Sequence, residues 1–316
     1  MSPRYLLQRL CLIVLVVMAA TLLTFVLLRL IPGDPAELII RKVFVGTEEY
    51  TGGVEEKSII TERYGMDRPL LVQYGWWLAG IVRGDLGVSY KTNQKVSHEL
   101  NIRLRPTLSL ALMSLAVSLV LTFLISTIYS LCPWKPLRRL LDGVIIASIA
   151  MPNFYLGILC ILVVSVYFDL LPVSGYGTSA HFILPVCTLA LTMFGYTTTI
   201  LNDSVADIRN RAYMITARAK GLAPLALLRG HVLRNAVAPV IPYIALQLGY
   251  LLGGVVVVEA LFSWPGIGNY LINAIATKDL PVIQACITCI ALTYTLANLA
   301  ADILLCLIDP RVRFYP

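Results

Sequence analysis

Charge is scarce in this chain. Of its 316 residues, 14% are Asp, Glu, Lys or Arg and 58% are hydrophobic, and mean hydropathy is +0.79. A soluble domain usually carries about 25% charge, so a large water-covered globule is excluded. Histidine is rarer still: His98, His181 and His231 stand far apart. No H-E-x-x-H or comparable pairing offers a zinc site. The chain lacks a G-x-x-x-x-G-K-[ST] loop to cradle a nucleotide and a G-x-S-x-G elbow to present a nucleophile. Cysteine is present seven times but absent from residues 32–106, which excludes a disulfide framework in the longest polar segment. Cys286 and Cys289 have CxxC spacing inside an apolar run, where this spacing is one face of a helix and reads as packing.

What the chain does have is long apolar runs. Six of them, at about 10–31, 107–131, 143–168, 183–205, 236–258 and 282–308, are long enough to span. At about 1.5 Å per residue each covers a hydrocarbon core of roughly 30 Å. The first run exceeds the h-region of a signal peptide, and IPGDP follows it in place of a small-residue cleavage site.

Lys and Arg orient the spans. With a cytoplasmic N-terminus, Arg4, Arg9, Lys135, Arg138, Arg139, Arg209, Arg211, Arg218, Lys220, Arg229, Arg234, Arg311 and Arg313 all fall inside, while the short outer loops 169–182 and 259–281 hold only Lys278. An even number of spans returns the C-terminus to the cytoplasm. The net charge of +7 is therefore a topology signal, and no nucleic-acid partner is read from it; the partner it implies is membrane lipid.

The expected organisation follows. Residues 1–31 are a cytoplasmic start and first span, 32–106 an external insert, and 107–308 a five-span core with a cytoplasmic loop at 206–235. Residues 309–316 form a cytoplasmic tail. Within the insert, LLVQYGWWLAGIV (70–82) reads as an interfacial or packing helix, or as a surface that meets an external partner. Pro152, Pro185, Pro239 and Pro242, with Gly249, Gly253 and Gly254, predict kinked, close-packed spans. Such kinks also suit a bundle that moves between two shapes.

Few ionisable residues lie deep in the runs. Arg29 and Asp302 stand near predicted ends, and Asn153, Gln247 and Asn298 are polar but neutral. An ion-driven carrier keeps charged ligands near the midplane, so a solute moved here takes its energy from elsewhere. Those three neutral residues are the candidate lining of a passage.

Between spans four and five the chain reads NRAYMITARAKGLAPLALLRGHVLRNAVAPVIP (210–242). Tyr213–Lys220 is good helix material, Gly221 suits a left-handed cap, and Pro224 suits the first turn of a second helix. Ala217, Ala219 and Gly221 present almost no side chain, so a partner surface can approach closely. An ordinary basic loop at the headgroups is the alternative.

This segment resembles the EAA loop of importer-type ABC transporter permeases, and more closely the oligopeptide, dipeptide and nickel permease family. Ala217, Gly221 and Leu233 match the general loop pattern, whereas Ile215, Thr216, His231 and Arg234 depart from it. Further stretches in the same order support the resemblance along nearly the whole chain: RLIPGDP (29–35), GDLGVSY (84–90), MPNF (151–154), LPVSGY (171–176), EALFSWPGIG (259–268), DLPVIQ (279–284) and DPRVR (309–313).

The resemblance implies an all-α integral membrane protein with six transmembrane helices, multi-pass in a bacterial inner membrane. It implies a second related permease, two ATPase subunits and an external solute-binding protein. ATP and Mg belong to the partner subunits, and this chain has no catalytic residue, metal site or cofactor of its own. The cargo is peptide, or nickel as ion or chelate. Tyr213, Thr216, Ala217, Arg218, Ala219, Lys220, Gly221 and Leu222 are the expected ATPase-coupling residues. Trp264, Pro265 and Gly266 form either a packed turn or a docking feature for the binding protein. The rival reading is a stand-alone secondary carrier or channel.

Overall fold

The computed structural model describes residues 3–30, 61, 67–219 and 223–308. Helices account for the long apolar runs: α1 (Pro3–Leu30), α2 (Leu70–Val82), α3 (Val96–Leu131), α4 (Lys135–Ala150), α5 (Asn153–Cys160), α6 (Ser179–Arg209), α7 (Ala212–Ala219), α8 (Pro224–Leu227), α9 (Arg234–Ala236), α10 (Val240–Leu261), α11 (Ile267–Ala276) and α12 (Leu280–Ile308). π-Helical segments extend α5 through Ile161–Tyr167 and join α8 to α9 through Leu228–Leu233. The residues 32–60 and 62–66 of the insert, and the tail 309–316, lie outside the described residues.

Among the described residues, four helices are long and apolar enough to cross a membrane: Leu7–Leu30, Val96–Leu131, Ser179–Arg209 and Leu280–Ile303. The count is five if the bent pair Lys135–Ala150 and Asn153–Tyr167 is one span. That pair differs from the single kinked helix expected over 143–168. Its two halves meet at 117°, because Pro152 drives Met151 out of the helical region to φ −89°, ψ 126°. The helix stops and restarts. α3 also begins at Val96, so the last residues of the expected insert are already helix.

α6 is the centre. It packs on α3, α4, α5 and α10 and is the most buried of the four spanning helices. The α3 face towards it repeats small residues: Ala111, Ser114, Ser118, Thr122, Ser126 and Ser130 are all buried. Small side chains at this spacing let two backbones approach closely. The Thr198 hydroxyl donates across the seam to Thr122 Oγ1 at 3.3 Å, and the Arg209 guanidinium donates to the Ser130 carbonyl at 2.9 Å.

α1 is the outlier, the least buried of the four. It packs on α12, where Arg9 pairs with Asp302 at 2.8 Å. Asp302, near the end of its run, is thus an ion-pair partner. α2 lies against α1: Tyr74 Oη and Thr21 Oγ1 are 3.0 Å apart, the Phe25 and Tyr74 rings meet at a tilt of 58° with centroids 5.3 Å apart, and Arg29 bonds Gln73. This is the packing role expected of residues 70–82, although Leu71 and Trp76 remain exposed.

Candidate functional site

The break at Met151–Pro152 opens a cavity of about 540 Å³ whose lining includes Met151, Pro152, Asn153, Tyr196, Tyr243 and Gln247. The close approach of α4 to α6 forms its floor. A Cβ on Gly195 would fall on the Ser148 hydroxyl, so only glycine fits there. A second cavity, about 680 Å³, lies beyond it between α5, α10 and α12, against Asn153, Leu246, Gly254 and Tyr294. Every described residue lining either cavity is uncharged at neutral pH.

Two of the three expected lining residues meet here. Asn153 opens α5; its Oδ1 accepts from Phe154 N at 2.9 Å, and its Nδ2 donates to the Gly254 carbonyl at 3.4 Å. Gln247 also lines the first cavity, but it is buried and its Nε2 donates to the Met193 carbonyl at 3.1 Å. Asn298 lines neither cavity; it stands on α12 one turn beyond Tyr294.

The turn after α10 is organised by a residue the sequence reading passed over. Glu259 is fully buried. Its Oε1 accepts from Thr107 Oγ1 at 2.6 Å, and its Oε2 accepts from Gly268 N at 2.7 Å and Asn269 N at 3.2 Å. The Thr107 hydroxyl in turn accepts from Ile267 N at 2.9 Å. The carboxylate therefore satisfies the free N–H groups at the start of α11, where a negative charge is favoured. A Cβ on Gly266 or Gly268 would collide with this carboxylate. The signal was present: a glutamate followed by PGIG combines an anion with backbone free to reach it.

Trp264 is fully buried in the same turn. Its Nε1 donates to the Pro106 carbonyl at 3.1 Å, and Tyr176 and Phe182 meet it edge-on at 4.7 and 4.4 Å. The side chain takes the packed-turn alternative and leaves no surface for docking. Pro265 is half-buried and Gly266 buried.

Two distant sequence stretches meet at Asp279, which is buried at the start of α12. It accepts from Ser89 Oγ at 2.5 Å, Tyr90 N at 3.1 Å and Lys91 N at 3.2 Å. Gly84 and Gly87, at φ 76° and 81°, give the segment the turns it needs to arrive there. Beside it, Arg103 pairs with Glu99 and lies 4.2 Å over the Tyr270 ring. Burial pushes the Tyr270 hydroxyl up to about 12, against the lowering pull of that guanidinium.

At the opposite end, α7 begins one residue before the expected helix, and α8 begins at Pro224 as expected. Met214 and Ala217 are buried in a cluster with Leu201, Val205 and Ile208 of α6 and Leu228 and Val232 beyond. Ala217 thus faces its own chain and does not thin an outer surface for a partner, because it shares the inward helical face with Met214. Tyr213 is exposed. Thr216, Arg218 and Ala219 lie on α7, and Lys220, Gly221 and Leu222 lie outside the described residues.

A helical membrane bundle with a broken helix, neutral cavities and a short helix pair packed under its central helix defines a transport permease. The family described as "Binding-protein-dependent transport system inner membrane component" matches residues 124–314, and its N-terminal counterpart matches residues 2–111. The chain belongs to this family and is a multi-pass inner-membrane component of an ABC importer.

Relatives agree along the full length. The glutathione transport system permease protein GsiC of Escherichia coli (strain K12) is 34% identical over 310 residues, covering 98% of this chain and 99% of the relative. GsiC of Salmonella typhimurium is 33% identical over the same share of both chains. A chain of the crystal structure of an amino acid ABC transporter with histidines shares the fold. Its TM-score is 0.51 at 18% identity, over 68% of this chain and 95% of that one.

Proposed function

We propose that the chain forms one half of the passage of an ATP-driven importer for short peptides of the size of glutathione. A second related permease supplies the other half, two ATPase subunits supply the energy, and an external binding protein delivers the cargo. In this reading all six apolar runs span: α4 with α5 counts once, and α10, 22 residues long with Glu259 as its one charged residue, counts as the sixth. Both termini are cytoplasmic.

The observation that carries the reading is the continuity of α6. Its last turns, at Leu201, Val205 and Ile208, pack on Met214 and Ala217 of α7, and its middle supplies Thr192 and Tyr196 to the first cavity. From Thr192 to Ile208 this is about 24 Å of unbroken helix at 1.5 Å per residue. An ATPase that seizes the segment 213–222 displaces α7, and α6 carries the displacement to the cavity wall. ATP hydrolysis on the partner chains then drives alternating access, with no charged ligand required here.

The neutral walls favour cargo recognised through amide groups and shape. Their volumes fall within the roughly 300–1,000 Å³ of small-molecule sites. A metal held in an organic chelate is the second cargo these walls suit; a bare nickel ion is not, since among the described residues no three metal-ligating groups cluster.

The test is purification of the tagged chain from detergent-solubilised membranes, with co-purifying partners identified and uptake of labelled glutathione and dialanine measured in the producing cells. ATPase chains are expected to co-purify with the wild type and to be lost with Gly221→Trp. An ATPase-free protein that still transports in liposomes would put the stand-alone carrier first.

A further inference from the structure

The two cavities share the side chains of Asn153 and Leu246. Asn153 is the polar one, and its position follows from the helix break. As the first residue of α5, directly after Pro152, it sits where the backbone has no preceding helical turn to hold it. Its Nδ2 reaches the carbonyl of Gly254, which lines the second cavity, at 3.4 Å. A Cβ on Gly254 would lie 3.1 Å from that nitrogen, so a larger residue would crowd the amide out of its seat.

We propose that Asn153 sets the size limit of the passage: its carboxamide is the partition between the two cavities, held across by the Gly254 carbonyl, and cargo crosses only when that bond opens. This rests on the reading of the cavities as the peptide passage.

Three features argue for it. The bond is long and neutral, joining groups that water or cargo can satisfy instead. The chemistry matches the cargo, because a carboxamide carries the same donor and acceptor as a peptide group. A passing peptide therefore replaces the Asn153–Gly254 bond with equivalent bonds of its own. Finally, the nearby walls supply shape through Leu246, Val257 and the rings of Tyr196, Tyr243 and Tyr294, with Ser148, Thr192 and Gln247 as the other polar side chains of the first cavity.

The experiment uses the complete transporter with its natural partners. Uptake of labelled dialanine, trialanine and penta-alanine is compared in wild type, Asn153→Ala and Asn153→Gln. With Asn153→Ala the ratio of penta-alanine to dialanine uptake is expected to rise roughly tenfold, the lower end of what a pocket achieves against small size differences. Asn153→Gln is expected to lower it. A uniform loss across all three peptides in both variants would mean a structural role only and would overturn the proposal.

If the wild type takes up none of the peptides, the peptide reading fails and the partition is decided by labelling. Asn153→Cys in the complete transporter is then treated with a small water-soluble thiosulfonate and with a bulky polyethylene-glycol maleimide, against the wild-type chain as background. Reaction with the small reagent and not the bulky one supports a narrow, wet neck at this residue. No reaction above background with either, or equal reaction with both, overturns it.

Discussion

Glu259 shows how one residue can organise a region while lying at the edge of an apolar run. Its carboxylate takes bonds from Thr107 of α3 and from two N–H groups of α11, so three helices converge on it. Removing it strands the Gly268 and Asn269 N–H groups, at a cost of roughly 1–3 kcal/mol for each group left without a partner, while the Thr107 hydroxyl can still donate to the Arg103 carbonyl. Glu259→Ala is expected to melt well below the wild type in detergent, with Glu259→Gln between them, since a Gln oxygen in the place of Oε2 still accepts from Gly268 N and Asn269 N. Coincident melting of Glu259→Ala and wild type would show that the carboxylate is dispensable. The sequence placed Glu259 in an outer loop because apolar-run counting stops at the first charge. The structure carries α10 past it, since a carboxylate bonded on both oxygens can be buried.

At the scale of elements, two contacts make separate predictions. Asp279 fastens the segment 84–95 to the start of α12 through bonds from Ser89, Tyr90 and Lys91. Charge-assisted bonds contribute roughly 1.5–3 kcal/mol each, so Asp279→Ala is expected to speed amide exchange at Tyr90 and Lys91 by about tenfold or more. Exchange at the wild-type rate would mean the segment is held by other contacts. The second is the seam of α3 on α6. Ser118 is buried there, and Ser118→Leu forces extra methylenes into a close approach, at about 1–3 kcal/mol. A thermal shift or lowered yield of folded protein checks it, and an unchanged melting point would mean the seam is looser than its packing implies.

These elements also show what a sequence discloses. Helix positions were legible from apolar runs, and α7 and α8 from Ala, Gly and Pro placement, because those signals are local. The 117° break was visible only as a proline; its angle is set by what α4 and α5 pack against. The meeting of GDLGVSY with DLPVIQ at Asp279 was invisible, since a pairing across 190 residues leaves no local periodicity. Of the candidate lining residues, Asn153 and Gln247 reached a cavity and Asn298 did not. One turn of helix separates the two outcomes, finer than polarity alone resolves.

For the whole molecule, the path from α7 through α6 to the cavity predicts how transport fails when it is loosened. Met214 is fully buried beneath α6, and Met214→Ala leaves a void costing about 2–5 kcal/mol. In the complete transporter the variant is expected to retain ATPase activity while peptide uptake falls several-fold. Parallel loss of both activities would point instead to a broken assembly, and full uptake would remove α6 from the mechanism.

The pairing of α1 with α12, clasped by Arg9 and Asp302, bears on how the protein is made. α1 precedes α12 along the chain, keeps most of its surface unburied, and finds its main neighbour only in that later helix. Until α12 is made, α1 has its contacts with α2 at Thr21, Phe25 and Arg29, and Arg9 has not yet met Asp302. Synthesis of α12 is thus the event that fastens α1 to the bundle, and a product truncated before α12 leaves the first helix without its main neighbour.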